Sequence, residues 1–149
     1  MTVIYDPKSF DPSTSIGRLM TMVKGALMEA LDAELAPLDI TAAQFVVLVK
    51  LATGATASAS ASTLCKGVSY DPGAMTRMID RLERKGLVRR VRSPRDRRKV
   101  IVELTAGGSA VYPQLIAGAV RVLNRFLRDF SAAEAQQLEA FLRRMLANA

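Results

Sequence analysis

The sequence has no histidine, no tryptophan and a single cysteine in 149 residues. Without imidazole and with one thiol, it lacks the usual ligand sets of zinc sites and the base of a Ser-His or Cys-His pair. No phosphate-cradling glycine loop is present either. The carboxylates are scattered along helical stretches as surface charges, so no enzyme, metal or cofactor is expected. Cys65 alone excludes an intramolecular disulfide and suits a reducing compartment; beside Leu64 it reads as a small buried apolar residue. Aromatic residues are only 5% of a chain that is 50% hydrophobic. That balance favours helices packed with Ala, Leu, Val and Met over an aromatic-rich sandwich, and the seven methionines read mainly as core filling. No apolar run reaches the roughly 18 residues of a membrane span. The opening MTVIYDPKSFDPS lacks a basic start followed by an apolar stretch. A cytoplasmic protein with no membrane partner is therefore expected.

Positive charge is abundant, and it is concentrated. The chain carries a net +7, from 21 basic and 14 acidic residues. Residues 77–99 alone hold eleven basic and three acidic side chains, a net of +8, which leaves −1 for everything else. A field focused in one short segment is the footprint of a polyanion binder rather than of a merely soluble surface.

The apolar spacing sorts the chain into elements. The first eleven or so residues and those just after them carry two prolines, Pro7 and Pro12, and no periodicity, and read as an arm. From Thr14, the positions Ile16, Leu19, Met20, Val23, Leu27, Leu31 and Leu35 predict an amphipathic helix that Pro37 ends. Thr41 and Gln44 form a capping box for a second helix reaching Thr53. Residues 54–62, rich in Gly, Ser and Thr, read as a loop, and a short third helix is expected over 61–68. Asp71 as cap and Pro72 at the first helical position open a fourth helix, which ends at Lys85 before Gly86. Alternating apolar and basic residues over 87–92 and 99–104, joined by Ser93-Pro94-Arg95-Asp96-Arg97-Arg98, predict a hairpin. Thr105 caps a long fifth helix, and Ser131 with Glu134 caps a sixth. The fold class is mainly α with a small β-hairpin wing, in the order α-α-α-α-β-β-α-α.

Two helices joined by a short turn, the second basic on its outer face, match helix-turn-helix construction. The fourth helix presents Thr76, Arg77 and Arg81 opposite Met75, Met78, Ile79 and Leu82. Tyr70, Asp71 and Gly73 lie at its N-terminal end, where backbone amides can hold phosphate. The hairpin tip carries Arg95, Arg97 and Arg98, and arginine suits a narrow minor groove. A solvated basic face is the bland alternative, and the hairpin placed just behind the helix favours double-stranded DNA over it. The first helix and the last two are too apolar for a compact wing domain to cover, which points to a homodimer.

The run Asp96-Arg97-Arg98-Lys99-Val100-Ile101-Val102-Glu103-Leu104-Thr105 matches the signature D-x-R-x-x-x-V-x-L-T of the MarR family at each specified position. LAPLDITAAQF (residues 35–45) and GAMTRMIDRLERKGLV (residues 73–88) extend the resemblance over nearly the whole chain outside the arm. The resemblance implies a winged helix-turn-helix regulator, usually a repressor. It also implies a dimeric form, with an arm and dimerisation helix over 1–36, a DNA-binding domain over 37–105 and dimerisation helices over 106–149. By the same likeness Arg98, steadied by Asp96, enters the minor groove at a pseudo-palindromic operator. A phenolic or aromatic-acid effector is implied as well. Ala74, Thr76, Met78, Arg81 and Arg90 match positions that contact salicylate in the family, while other members use a pocket beside the first helix, Phe45 and the fifth helix. The alternatives are a ligand-independent or architectural DNA binder and a winged-helix protein-interaction module.

Overall fold

The computed structural model describes residues 3–54, 58–66 and 70–149. It runs α1 (Ile16–Leu35), a 3₁₀ turn (Ala36–Leu38), α2 (Ala42–Thr53), β1 (Ser58–Ser60), α3 (Ala61–Cys65) and α4 (Pro72–Arg84). Then follow β2 (Val88–Arg92), β3 (Val100–Leu104), α5 (Ala106–Phe126) and α6 (Ala132–Ala147). No single helix among the described residues is long and apolar enough to cross a membrane.

The helix starts follow from local capping chemistry. The Thr41 hydroxyl accepts from the Gln44 amide at 3.1 Å while Gln44 Oε1 accepts from the Thr41 amide at 3.1 Å. Ser131 and Glu134 repeat the box at α6. The first helix begins two residues later than expected, because Ser15 rather than an upstream residue accepts from the Arg18 amide. Asp32 of α1 adds a cap from outside its own helix, its carboxylate accepting from the Ala42 amide at 2.6 Å. This bond fixes how α1 meets α2. The arm is less irregular than its prolines imply. Tyr5 and Phe10 meet edge to face, and the Tyr5 hydroxyl accepts from the Ile16 amide at the mouth of α1.

Two expectations need correction in the middle of the chain. Residues 54–62 are not all loop: Ser58–Ser60 form β1, which pairs antiparallel with β3 through Ala59 opposite Val102. The hairpin is thereby a three-stranded sheet in the order β1-β3-β2. Ser and Ala have little strand preference of their own, and the pairing is set by the free edge of β3, a partner 43 residues away in register. The third helix is also shorter than expected, ending at Cys65 with Lys66 already extended; its expected end at Val68 and the turn residue Ser69 lie outside the described residues. Cys65 is half-buried rather than buried.

A single core joins the sheet with α1 to α5, and α6 contributes no buried residue to it. Met75, Met78, Ile79 and Leu82, one face of α4, are buried with Leu35, Leu48, Leu51, Val88, Val102 and Leu115. Met75 and Met78 fill this core as expected, whereas Met20, Met22 and Met145 are exposed on α1 and α6. Behind α4 the chain turns at Gly86, whose φ of 71° suits glycine. The Thr105 hydroxyl then donates to the Gly86 carbonyl, and its amide donates to the Leu87 carbonyl at 3.1 Å. These bonds draw α5 against the base of the hairpin so closely that a Cβ on Gly108 would lie 2.2 Å from the Leu87 carbonyl oxygen. Gly108→Ala gains about 1 kcal/mol of helix propensity at most. Forcing backbone apart costs about 1–3 kcal/mol, so net destabilisation is expected as a lower Tm in thermal unfolding. An unchanged or raised Tm would contradict the tight α5–hairpin junction.

Candidate nucleic-acid interface

The N-terminus of α4 is built by Asp71, whose carboxylate accepts from the Ala74 amide at 2.8 Å. That bond, helped by the Gly73 amide and the charge of Arg77, holds the Asp71 carboxyl below the usual carboxylate range. A depressed folded-state pKa adds stability that is present above the ordinary value and lost only as the pH falls through the lower one. The cap is therefore intact at neutral pH. Gly73 keeps this corner open: a Cβ there would sit 3.1 Å from the Asp71 carboxylate and 3.5 Å from Arg77 Nη1. Thr76 donates to the Pro72 carbonyl at 2.9 Å and keeps its lone pairs free to accept. Tyr70 is half-buried, and Thr76, Arg77 and Arg81 are exposed on the face opposite the core.

The hairpin tip is shaped by Asp96. Its carboxylate accepts from the Arg98 amide at 3.0 Å, and its carbonyl accepts from the Lys99 amide at 2.9 Å. The Lys99 carbonyl in turn accepts from the Ser93 amide at 2.8 Å. Asp96 thus steadies Arg98 through the backbone and leaves its guanidinium free to reach outward. Arg95, Arg97 and Arg98 are exposed. Among the described residues, neither they nor Arg77 and Arg81 form any ion pair.

Arg90 behaves differently from its neighbours. It lies on the outer strand β2, yet its guanidinium meets Asp80 at 2.6 Å and Glu83 at 2.6 Å, both on α4. Glu83 also accepts from the Arg90 amide at 3.2 Å, covering part of an open sheet edge. Burial opposes the charge on Arg90, but the hydrogen bonds to Asp80 and Glu83 outweigh it and raise its pKa further. Nearby, Arg89 pairs across the sheet with its register partner Glu103 at 3.1 Å. All three acids of the basic segment are thereby occupied in holding its shape.

Between α1, α2 and α4 lies a cleft of about 1160 Å³. Of the five residues matched to an effector, Ala74, Met78 and Arg81 line it, and Thr76 and Arg90 do not. Met28 and Asp32 of α1 line it too, whereas Phe45 and the α5 residues do not. At its edge Lys85 donates to the Asp39 carbonyl, pairs with the Asp39 carboxylate at 3.2 Å and reaches the buried Gln44 side chain at 3.2 Å. Sequence reasoning missed Asp80, Glu83, Asp39, Gln44 and Lys85 as shapers of this region. The available signal was the presence of two acids, three residues apart, in a stretch otherwise basic. Among the described residues, no group of three or more His, Cys, Asp or Glu is placed to hold a metal ion.

Comparison with known proteins agrees with this construction. The MarR family model matches residues 40–100. Multiple antibiotic resistance protein MarR of Escherichia coli is 40% identical over 138 residues, covering 92% of this chain and 94% of that protein. A crystal structure of a variant E. coli MarR complexed with operator DNA superposes with a TM-score of 0.78 at 38% identity, covering 92% of this chain and 99% of that one. Bordetella bronchiseptica BpsR, in a structure concerned with regulation of its DNA binding by 6-hydroxynicotinic acid, gives a TM-score of 0.78 at 26% identity. The match covers 91% of this chain and 96% of that one.

Proposed function

Because the chain belongs to the MarR family, we propose that it is a cytoplasmic, homodimeric transcriptional repressor that binds a pseudo-palindromic DNA operator. One observation carries this reading: Arg77 and Arg81 of α4 and Arg95, Arg97 and Arg98 of the hairpin tip are exposed and form no ion pair among the described residues. On this reading α4 enters the major groove, where Thr76, Arg77 and Arg81 meet base edges. Tyr70 and the open corner at Gly73 face phosphate, and Asp71 positions the helix end rather than touching the anion. The arginines of the wing reach the neighbouring minor groove, with Arg98 inserted and Arg95 and Arg97 beside it. The arm with α1, and α5 with α6, supply the dimer contact.

Release by a phenolic or aromatic acid fits the cleft behind α4. Arg81 offers a carboxylate partner there and Met78 an apolar surface for a ring. The operator complex of E. coli MarR supports the DNA part of this reading, and the BpsR relationship supports the effector class. Thr76 and Arg90 stand outside the cleft, which favours a site centred on Ala74, Met78 and Arg81.

The test is Arg98→Ala, measured by fluorescence anisotropy on a duplex selected from a random-sequence pool. Its binding is expected to weaken by roughly 1–3 kcal/mol. Unchanged affinity would contradict insertion of the wing.

A further inference from the structure

We propose that Arg90 is a positioning residue that sets the wing at its working angle to α4, with Asp80 and Glu83 as its anchors. The proposal rests on the DNA-reading function above and extends it to a residue that need not touch DNA. Among the described residues, Arg90 is the one residue of β2 whose side chain forms an ion pair with α4: it spans Asp80 and Glu83 at 2.6 Å each and approaches the Thr76 carbonyl at 3.5 Å. Inward of it, Val88 is buried at the root of the hairpin; outward of it, Arg92 is exposed and its side chain donates to the wing's own Arg97 carbonyl, at 3.5 Å. The clasp is thus the outermost ion-paired tie between β2 and α4 among the described residues.

Leverage makes that position matter. The β2 strand ends two residues beyond Arg90, at Arg92, and the turn bearing Arg95 to Arg98 projects past it, so on an arm of about 10–15 Å a pivot of about 10° moves the tip by about 2–3 Å. A displacement of that size separates a groove-seated guanidinium from its partner. Arginine suits the task because its planar fork donates to two carboxylates at once from rigidly spaced nitrogens, whereas an ammonium group is a single point charge that fixes no such spacing. The two carboxylates come from positions three apart on α4, so they face the same strand. They fix the wing to the helix that bears Thr76, Arg77 and Arg81.

Simple electrostatics and the clasp predict opposite signs for one variant. Asp80→Asn combined with Glu83→Gln removes two negative charges beside the DNA-facing surface, which by charge alone tightens DNA binding. The clasp instead predicts weaker binding, because the wing loses its anchor while Arg90 remains. The experiment uses the full chain, the selected duplex and anisotropy titrations of four proteins: wild type, Arg98→Ala, the Asp80→Asn/Glu83→Gln variant, and all three changes together. Arg98→Ala is expected to weaken wild-type binding by about tenfold or more. In the anchor-less background, binding is already weaker and Arg98→Ala changes it by less than about threefold, the coupling expected when two changes disable one unit.

An anchor-less variant that binds as tightly as wild type or tighter, with the full Arg98→Ala penalty, overturns the proposal. If the wild type does not prefer the selected duplex to random DNA, the DNA reading itself fails and the clasp falls with it, a result distinct from the first. Circular dichroism and thermal unfolding establish that each variant is folded. If the double variant does not fold, Arg90→Met takes its place, since its unbranched apolar side chain pairs with neither carboxylate. It too is expected to shrink the Arg98→Ala penalty, and an undiminished penalty overturns the proposal.

Discussion

Replacing Phe141 and Leu142 with aspartate is expected to convert the proposed dimer into monomers and to lower operator affinity by two to four orders of magnitude. The sixth helix has no buried residue in the single chain, and its apolar face is exposed from 36% at Leu142 to 74% at Leu146. Ile16, Leu19, Met22 and Val23 of α1 and Val120, Leu123 and Phe126 of α5 are exposed as well. An apolar cleft of about 580 Å³ separates α1 from α6, lined by Leu19, Val23, Leu138, Phe141 and Met145 among others. Each such side chain gains about 1.5–3 kcal/mol on full burial, and a carboxylate placed there must be desolvated without a partner. A second copy of the chain is the occupant the dimer reading requires. Joining two readers on one duplex raises the overall affinity by about 10²–10⁴ over a single reader, which sets the size of the expected loss. Sedimentation velocity checks the assembly and anisotropy checks the binding. A variant that stays dimeric would move the interface away from α6, and a monomer that binds as tightly as wild type would remove the need for two-fold reading.

Raising salt from 50 to 200 mM is expected to weaken operator binding by about 10³–10⁵-fold, with log affinity falling linearly against log salt. Arg77, Arg81, Arg95, Arg97 and Arg98 of each protomer make ten cationic groups in a dimer, none of them neutralised by an ion pair among the described residues. If six to ten of these or their neighbours meet phosphates, counterion release sets a slope of about −0.9 per contact. Arg90 is excluded from that sum because Asp80 and Glu83 already neutralise it. Titrations over a salt series give the slope directly. A complex insensitive to salt would contradict a phosphate-dominated interface and direct attention to a protein partner for the basic face.

What the sequence made legible is mostly what neighbouring residues decide among themselves. Thr41 with Gln44, Ser131 with Glu134, and Asp71 before Pro72 mark helix starts because each cap bonds within three residues. The spacing of Met75, Met78, Ile79 and Leu82 assigns the buried face of α4, and with it the outward side of Arg77 and Arg81. Non-local choices were not legible. Ser58–Ser60 become a strand only because β3 offers an edge, and nothing in their own chemistry announces it. Arg90 looks like one more exposed cation in a basic run until the hairpin packs beside Asp80 and Glu83. The cleft is a product of three helices meeting, so spacing along the chain cannot sort Met78 and Arg81, which line it, from Thr76, which does not. The concentration of charge in residues 77–99 was readable from the outset; its division between free arginines and a structural clasp required the fold.

The central claim is that two copies of this chain read one DNA duplex through α4 in the major groove and the wing in the minor groove. Hydroxyl-radical footprinting on a duplex enriched from random sequence tests it most directly. The predicted result is a two-fold symmetric footprint, with half-sites about one helical turn apart and minor-groove protection beside each that disappears in Arg98→Ala. A single unsymmetrical footprint, or protection spread evenly over unrelated sequences, would contradict it.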